Sequence, residues 1–117
     1  MGIVVRCQYL SSGKPIPRNV TVSRGMAVPD VIQELIRAYA RPPYDIDNGV
    51  CDYFASDLVL ALEAIGKVAE TYWTPEEVDL PGHCWVKVDG RFYDAETPFG
   101  VADWRELLIF KNASQRL

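Results

Sequence analysis

The sequence predicts an α+β domain in which a central helix carrying a cysteine packs on a small antiparallel sheet. Three observations predict it. Cys51, Phe54, Ala55, Leu58, Ala61, Leu62 and Ile65 recur at three- and four-residue steps, which gives a helix one apolar face. Further on, His83–Val88 and Arg91–Ala95 flank Asp89-Gly90, the two-residue signal that favours a type I′ hairpin turn. Helical periodicity also precedes the strand-like alternation along the chain, so helices and strands are segregated rather than interleaved.

Taken in order, Ile3–Leu10 is rich in β-branched and apolar residues and reads as a strand, closed by a turn at Ser11-Ser12-Gly13-Lys14-Pro15. Pro17–Thr21 reads as a short extended piece. Pro29-Asp30 opens a helix whose apolar residues, Val31, Ile32, Leu35 and Ile36, stop at Ala40 because Arg41-Pro42-Pro43 cannot continue it. Tyr44–Gly49 reads as a polar loop. The central helix starts at Val50 or Cys51 and is capped by Gly66, with a further turn over Lys67–Glu70 open to it. Thr74-Pro75-Glu76-Glu77 reads as a turn or an aborted helix start. Thr97-Pro98-Phe99-Gly100 breaks the hairpin, Asp103–Leu107 forms a helical turn, Leu108–Phe110 a last strand, and Lys111–Leu117 a frayed tail.

At 117 residues the chain fits one domain, residues 1–117, and 49% hydrophobic residues with three Trp, six Tyr and four Phe supply its core. Staples become necessary only below ~40 residues, so neither disulfide nor metal is needed for folding. Twelve basic against sixteen acidic residues, net −4, with no basic run, argue against a nucleic-acid surface. The N-terminus lacks the charged-then-apolar order of a signal peptide, and no apolar stretch approaches the ~20 residues needed to cross a bilayer. Three cysteines, an odd number, suit free thiols in a reducing compartment. The expectation is a cytoplasmic protein of bacterial or phage type, with no membrane partner and no cofactor.

The chemistry centres on Cys51. The first turn of a helix has unpaired N–H groups and the positive end of the helix dipole, and both favour a thiolate and a developing oxyanion. His83 is the only histidine, and its side chain is the one suited to moving a proton near neutral pH. With Asp89-Gly90 as a two-residue loop, Val88 faces Arg91, Val86 faces Tyr93 and Trp85 faces Asp94. His83, Trp85, Asp94 and Glu96 then share one face, with Asp94 diagonal to His83 and Glu96 opposite it. Either carboxylate could orient the imidazole. A nucleophile, a base and an orienter are therefore present. A metal is not expected: no C-x2-C or H-x3-H spacing occurs, and neighbouring His83 and Cys84 point to opposite faces of a strand.

Asn48-Gly49-Val50-Cys51-Asp52-Tyr53-Phe54-Ala55, followed by Ala61-Leu62-Glu63-Ala64-Ile65-Gly66, resembles the Gly-x-Cys…Ala…Leu…Gly helix of transglutaminase-like domains. His83-Cys84-Trp85-Val86-Lys87-Val88 and Gly90-Arg91-Phe92-Tyr93-Asp94 resemble their His-x-Trp-Val strand and the Asp strand after it. The resemblance implies the papain-like/transglutaminase-like core and a Cys-His-Asp triad of Cys51, His83 and Asp94, which selects Asp94 over Glu96. Asn48 is the candidate oxyanion side chain, with Trp85 and Glu96 as supporting residues. The implied activity is cysteine-dependent acyl transfer on a peptide or protein substrate: hydrolysis of an amide, peptide, ester or thioester bond, or transamidation. The chain is shorter than true transglutaminases, lacks an acidic calcium cluster, and has Cys84 where Ala is common after the His. These departures favour hydrolysis over protein cross-linking.

The bland alternatives are specific. Cys51 also sits on the core stripe of its helix and could be a buried thiol, as Cys7 and Cys84 are expected to be. Trp85 is expected to pack against the helix, and Asp94 and Glu96 could be solvated strand-end charges. A non-catalytic protein of this fold, acting as a binding or assembly module, would use the acidic surface and Tyr44, Tyr72 and Trp73 as its contact patch.

Overall fold

Ile3–Ser11 (β1) and Lys14–Val22 (β2) pair antiparallel as a ribbon, Ile3 opposite Val22 and Ser11 opposite Lys14. Period-two alternation makes it one-sided: Cys7, Val20 and Val22 are buried, whereas Val4, Arg6 and Thr21 face out. The extended piece expected at Pro17–Thr21 is thus part of a nine-residue strand. The computed structural model describes residues 2–11 and 14–114, so the Ser12-Gly13 centre of the expected turn and residues 115–117 of the tail lie outside it.

Helix α1, Val28–Tyr39, carries Pro29 in its first turn and buries Val28, Val31, Ile32, Leu35 and Tyr39, one stripe at helical spacing. It stops at Ala40, which takes the left-handed conformation (φ 54°) just before Pro42-Pro43. The polar loop expected over Tyr44–Gly49 is instead largely helical. Pro43 sits in the first turn of a five-residue helix, α2 (Pro43–Asp47), which buries Ile46 and Asp47.

The central helix, α3 (Cys51–Ala64), begins at the expected residue and buries Phe54, Ala55, Asp57, Leu58, Ala61 and Leu62. Tyr39 pins α1 to it, its hydroxyl donating to Asp57 at 2.6 Å and its ring meeting Phe54 edge-on. The helix ends at Gly66 in a Schellman arrangement, with Lys67 N–H on the Leu62 carbonyl and Gly66 N–H on Glu63. The extra turn over Lys67–Glu70 does not form, because Ala69–Trp73 is a strand, β3.

Strands β3, β4 (Cys84–Val88), β5 (Arg91–Asp94) and β6 (Thr97–Val101) form an antiparallel meander in chain order. The β4–β5 register is the expected one, Val86 opposite Tyr93 and Val88 opposite Arg91. Asp89 and Gly90 both have positive φ, as a type I′ turn demands. Thr97–Gly100 does not break the sheet; it is β6, an edge strand, where Pro98 is tolerated because an edge N–H need not join a ladder. Gly100 is required there: its φ is 77°, and a Cβ would stand 2.7 Å from the Tyr93 ring.

Both faces of β4 are covered. Cys84, Val86 and Val88, with Tyr93 and Ala95, join the core formed by α1, α3 and the ribbon. Trp85 joins a second cluster with Leu107 and Phe110, flanked by Phe92 and Trp104. That cluster is closed by a 3₁₀ turn at Trp104–Glu106, capped by Asp103, and by helix α4, Leu108–Ser114. The last strand expected at Leu108–Phe110 is therefore a helix, and α4 continues through residues expected to be frayed. Trp85 correspondingly packs away from α3, stacked on Trp104 at 5.2 Å, not against the helix. No helix among the described residues is long and apolar enough to cross a membrane.

Candidate active site

Cys51 is the first residue of α3 and is half-buried. The first intrahelical bond near it runs from Phe54 N–H to the Val50 carbonyl, so the N–H groups of the first turn, from Cys51 to Tyr53, precede the helical ladder. No side chain caps this end. The start of α3 is held against α2 instead, where Val50 N–H donates to the Ile46 carbonyl at 2.9 Å.

His83 lies one residue before β4 and is 1% exposed. Its backbone is fixed by Thr74 just past the end of β3. Thr74 N–H donates to the His83 carbonyl at 3.0 Å, and His83 N–H donates to Thr74 Oγ1 at 2.9 Å. The same hydroxyl donates to the Pro81 carbonyl at 2.8 Å, which closes the loop between β3 and β4. The ring is enclosed by Phe110, edge-on at 5.8 Å, and Trp85 at 6.1 Å.

Asp94 ends β5, is 3% exposed, and takes His83 Nε2 on its Oδ2 at 2.8 Å. It is not a solvated strand-end charge. A carboxylate can only accept, so Nε2 carries the hydrogen of this bond. The other ring nitrogen, Nδ1, is buried without a hydrogen-bond partner. Burial alone would lower the proton affinity of His83. The bond to Asp94, a contribution from the Cys51 side chain and the charges of Asp47 and Asp94 outweigh it, and the pKa rises to about 10. Cys51 thus stands close enough to act on the ring, although it does not reach it at hydrogen-bond geometry. Cys51, Asp47, Cys84 and Asp94 also border one small cavity between α3 and the sheet.

Glu96, expected opposite His83, does not face it. β5 ends at Asp94, which pairs with Thr97, and Ala95-Glu96 form the turn between them. Asn48 lies at the exposed end of α2 with its side-chain amide donating to the Tyr44 carbonyl at 2.8 Å. Trp85 lies beside the His83 ring, and its Nε1 is buried without a partner, as is Asp94 Oδ1.

Asp47 is the member of the cluster that sequence reasoning missed, because it fell in an expected loop. It is 3% exposed, and its two oxygens accept the N–H groups of Ala95 (3.3 Å) and Glu96 (3.2 Å). Burial, Asp94 and Glu96 push its pKa upward against the opposing effect of His83. Donor atoms of Asp47, His83 and Asp94 lie within 4.8 Å of one another, close enough to be brought around a metal ion. Both Asp47 oxygens already accept backbone N–H groups, whereas His83 Nδ1 and Asp94 Oδ1 have no hydrogen-bond partner. The one detectable signal for Asp47 was Pro42-Pro43, which favours a helix start and would bring Asp47 next to the entry of α3.

Two grooves are lined in part by residues next to Cys51 and His83 in the chain. One of about 240 Å³ is lined by Tyr44, Asn48, Pro81, Glu96 and Ile109. The other, about 250 Å³, is lined by Asp52, Tyr53, Ser56, Thr71, Trp73 and Cys84. Asn48 and Asp52 bracket Cys51 in sequence, and Pro81 and Cys84 bracket His83. The other two thiols are inert by contrast: Cys7 and Cys84 are buried, and burial pushes both to about 12. No protein family, curated protein or solved structure matches the chain.

Proposed function

We propose that the chain is a cysteine-dependent acyl-transfer enzyme with the papain-like/transglutaminase-like arrangement of Cys51, His83 and Asp94. The observation that carries the reading is the state of the imidazole. Asp94 occupies Nε2, and the remaining nitrogen is buried, without a partner, on a ring whose proton affinity the Cys51 side chain helps to raise. That is the arrangement a base needs in order to take a thiol proton.

With the proton held on the ring, the positive imidazolium and the first-turn N–H groups of α3 both favour the Cys51 thiolate. The thiolate adds to a carbonyl carbon, and the oxyanion is met by those N–H groups, each such donor supplying roughly 3–4 kcal/mol in comparable sites. Collapse returns the proton from His83 to the leaving amine, alcohol or thiol and leaves a thioester on Cys51. Water or an amine, deprotonated by His83, then attacks the thioester and releases the thiol. The substrate would be a peptide or protein lying across the two grooves, with the exposed Trp73 at one of them.

The test is the pH dependence of Cys51 alkylation by iodoacetamide, with Cys51→Ala to isolate this thiol. Labelling at pH 6.5 is expected to be at least ~10-fold faster than in a folded His83→Ala protein, since an ordinary thiol is about 1% ionised there. An ordinary thiol profile, unchanged by His83→Ala, would overturn the reading. It would favour the binding-module alternative, for which the exposed Tyr44, Tyr72 and Trp73 form the contact surface.

A further inference from the structure

We propose that Asp47 is a positioning residue of the His83–Asp94 pair, holding the corner that carries Asp94 and coupling its own ionisation to that of the imidazole. The inference rests on the triad reading above. A carboxylate at the end of a five-residue helix, 3% exposed beside Ile46, is an expensive choice unless it is well partnered. Its partners are the two N–H groups that directly follow Asp94 in the chain, those of Ala95 and Glu96. Asp47 therefore ties α2, the segment that leads into the nucleophile's helix, to the turn that leaves the orienting strand. The helix that begins at Cys51 and the strand that ends at Asp94 are linked through these two bonds.

Capping two N–H groups does not require a charge. A neutral acceptor would serve, and it would avoid setting a second carboxylate beside Asp94 in a buried site. The charged groups facing Asp47 are Asp94 from β5, Glu96 from the β5–β6 turn and His83 from the start of β4; Cys51 from α3 completes the circle. Three of these groups, counting Asp47 itself, are acidic. Burial and Asp94 push the Asp47 carboxyl up while His83 opposes them, so the proton of Asp47 and the charge of the imidazole are coupled, and ionisation of one favours the charged form of the other. Once ionised, Asp47 favours the charged ring, and through it the thiolate.

Because His83 is the only histidine, its imidazole resonances report this directly, without any substrate. In the wild-type protein the ring is expected to titrate well above the ordinary histidine range. In Asp47→Asn, which keeps one carbonyl oxygen for an N–H group, the midpoint is expected to fall by about one pH unit or more. The acid limb of Cys51 alkylation should move up with it. A lower melting temperature with an unmoved His83 titration would make Asp47 a backbone cap only and overturn the inference. Should Asp47→Asn fail to fold, the wild-type Asp47 carboxyl carbon, assigned through the backbone, carries the test. It must shift in step with the His83 titration, and independent steps would overturn the proposal. An ordinary alkylation profile in wild type, beside a shifted His83 titration in Asp47→Asn, would refute the enzyme reading and leave the electrostatic coupling standing.

Discussion

The two faces of the four-stranded sheet are built from different materials. On one, Cys84, Val86, Val88, Tyr93 and Ala95 meet the helix that carries Cys51, within an extensive, mainly aliphatic core. On the other, Trp85 meets Leu107 and Phe110 in a small, largely aromatic cluster that also encloses His83. Cys51 belongs to the first face, and His83 is covered from the second. A large core spreads its stabilisation over many side chains, so one truncation there changes stability without steering chemistry. The aromatic cluster concentrates contact in a few rings. Phe110 alone lies against His83, Trp85 and Trp104, at 5.8, 5.5 and 5.1 Å.

Matched truncations test this difference most strongly. Leu62→Ala on the α3 face and Phe110→Ala on the aromatic face both remove fully buried side chains. They are expected to cost about 2–5 and 3–5 kcal/mol respectively. Urea unfolding should show comparable losses, whereas iodoacetamide labelling should separate the two. Leu62→Ala, which does not border the cavity beside Cys51, should keep the wild-type alkylation profile. Phe110→Ala opens the ring of His83 to water, which weakens its bond to Asp94 and moves the acid limb of the profile upward. Identical profiles in the two variants would dissolve the distinction between the faces.

The same contrast explains what the sequence made legible. The α3 face was read almost residue by residue, because Cys51, Phe54, Leu58, Ala61 and Leu62 repeat with the helical period and Asp89-Gly90 sets the hairpin register. Those two signals put Cys51 at a helix start and His83 on one face with Asp94 and Glu96; the choice of Asp94 over Glu96 came only from the resemblance. The aromatic face has no such period. Leu108-Ile109-Phe110 is a short apolar run, which suits a strand as well as a helix, and only its packing on Trp85 decides for α4. Pro98 and Gly100 looked like breakers because an edge strand that tolerates both carries a turn-like composition. β3 was missed for a related reason: Glu70, Thr71, Tyr72 and Trp73 are all exposed, so no buried alternation marks the strand. Asp47 was invisible because its partners are backbone amides 48 and 49 residues away, a relation that no local pattern encodes.

The buried charges at the seam between the faces give a pH dependence of definite sign. His83 is raised from 6.5 to about 10 in the folded protein, so its contribution is fully present below pH 6.5 and is lost as pH rises through 10. Asp47, also shifted upward, holds its proton more tightly folded than unfolded, and its effect has the same sign. The thiols of Cys7 and Cys84, pushed to about 12, add to the trend above pH 9. The melting temperature is therefore expected to fall between pH 6.5 and 10, by roughly 5 °C or more. A His83→Gln protein should show a shallower slope. A wild-type melting temperature that stays level or rises over this range would contradict the charged cluster.

A smaller effect marks where the helical layer can change without reaching the site. Ala40 ends α1 in the left-handed conformation at φ 54°, exposed to solvent. There its Cβ costs roughly 1–2 kcal/mol. Glycine removes that strain but adds freedom to the unfolded chain, an opposing term of about 0.4–1 kcal/mol. The balance favours Ala40→Gly by about half a kcal/mol, a rise of a few degrees in melting temperature. Tyr39, one residue earlier, holds α1 to Asp57 rather than to His83, so the alkylation profile of Cys51 should not move. A stabilised Ala40→Gly protein with an altered profile would mean that the helical layer steers His83 after all, and that the two faces act as one.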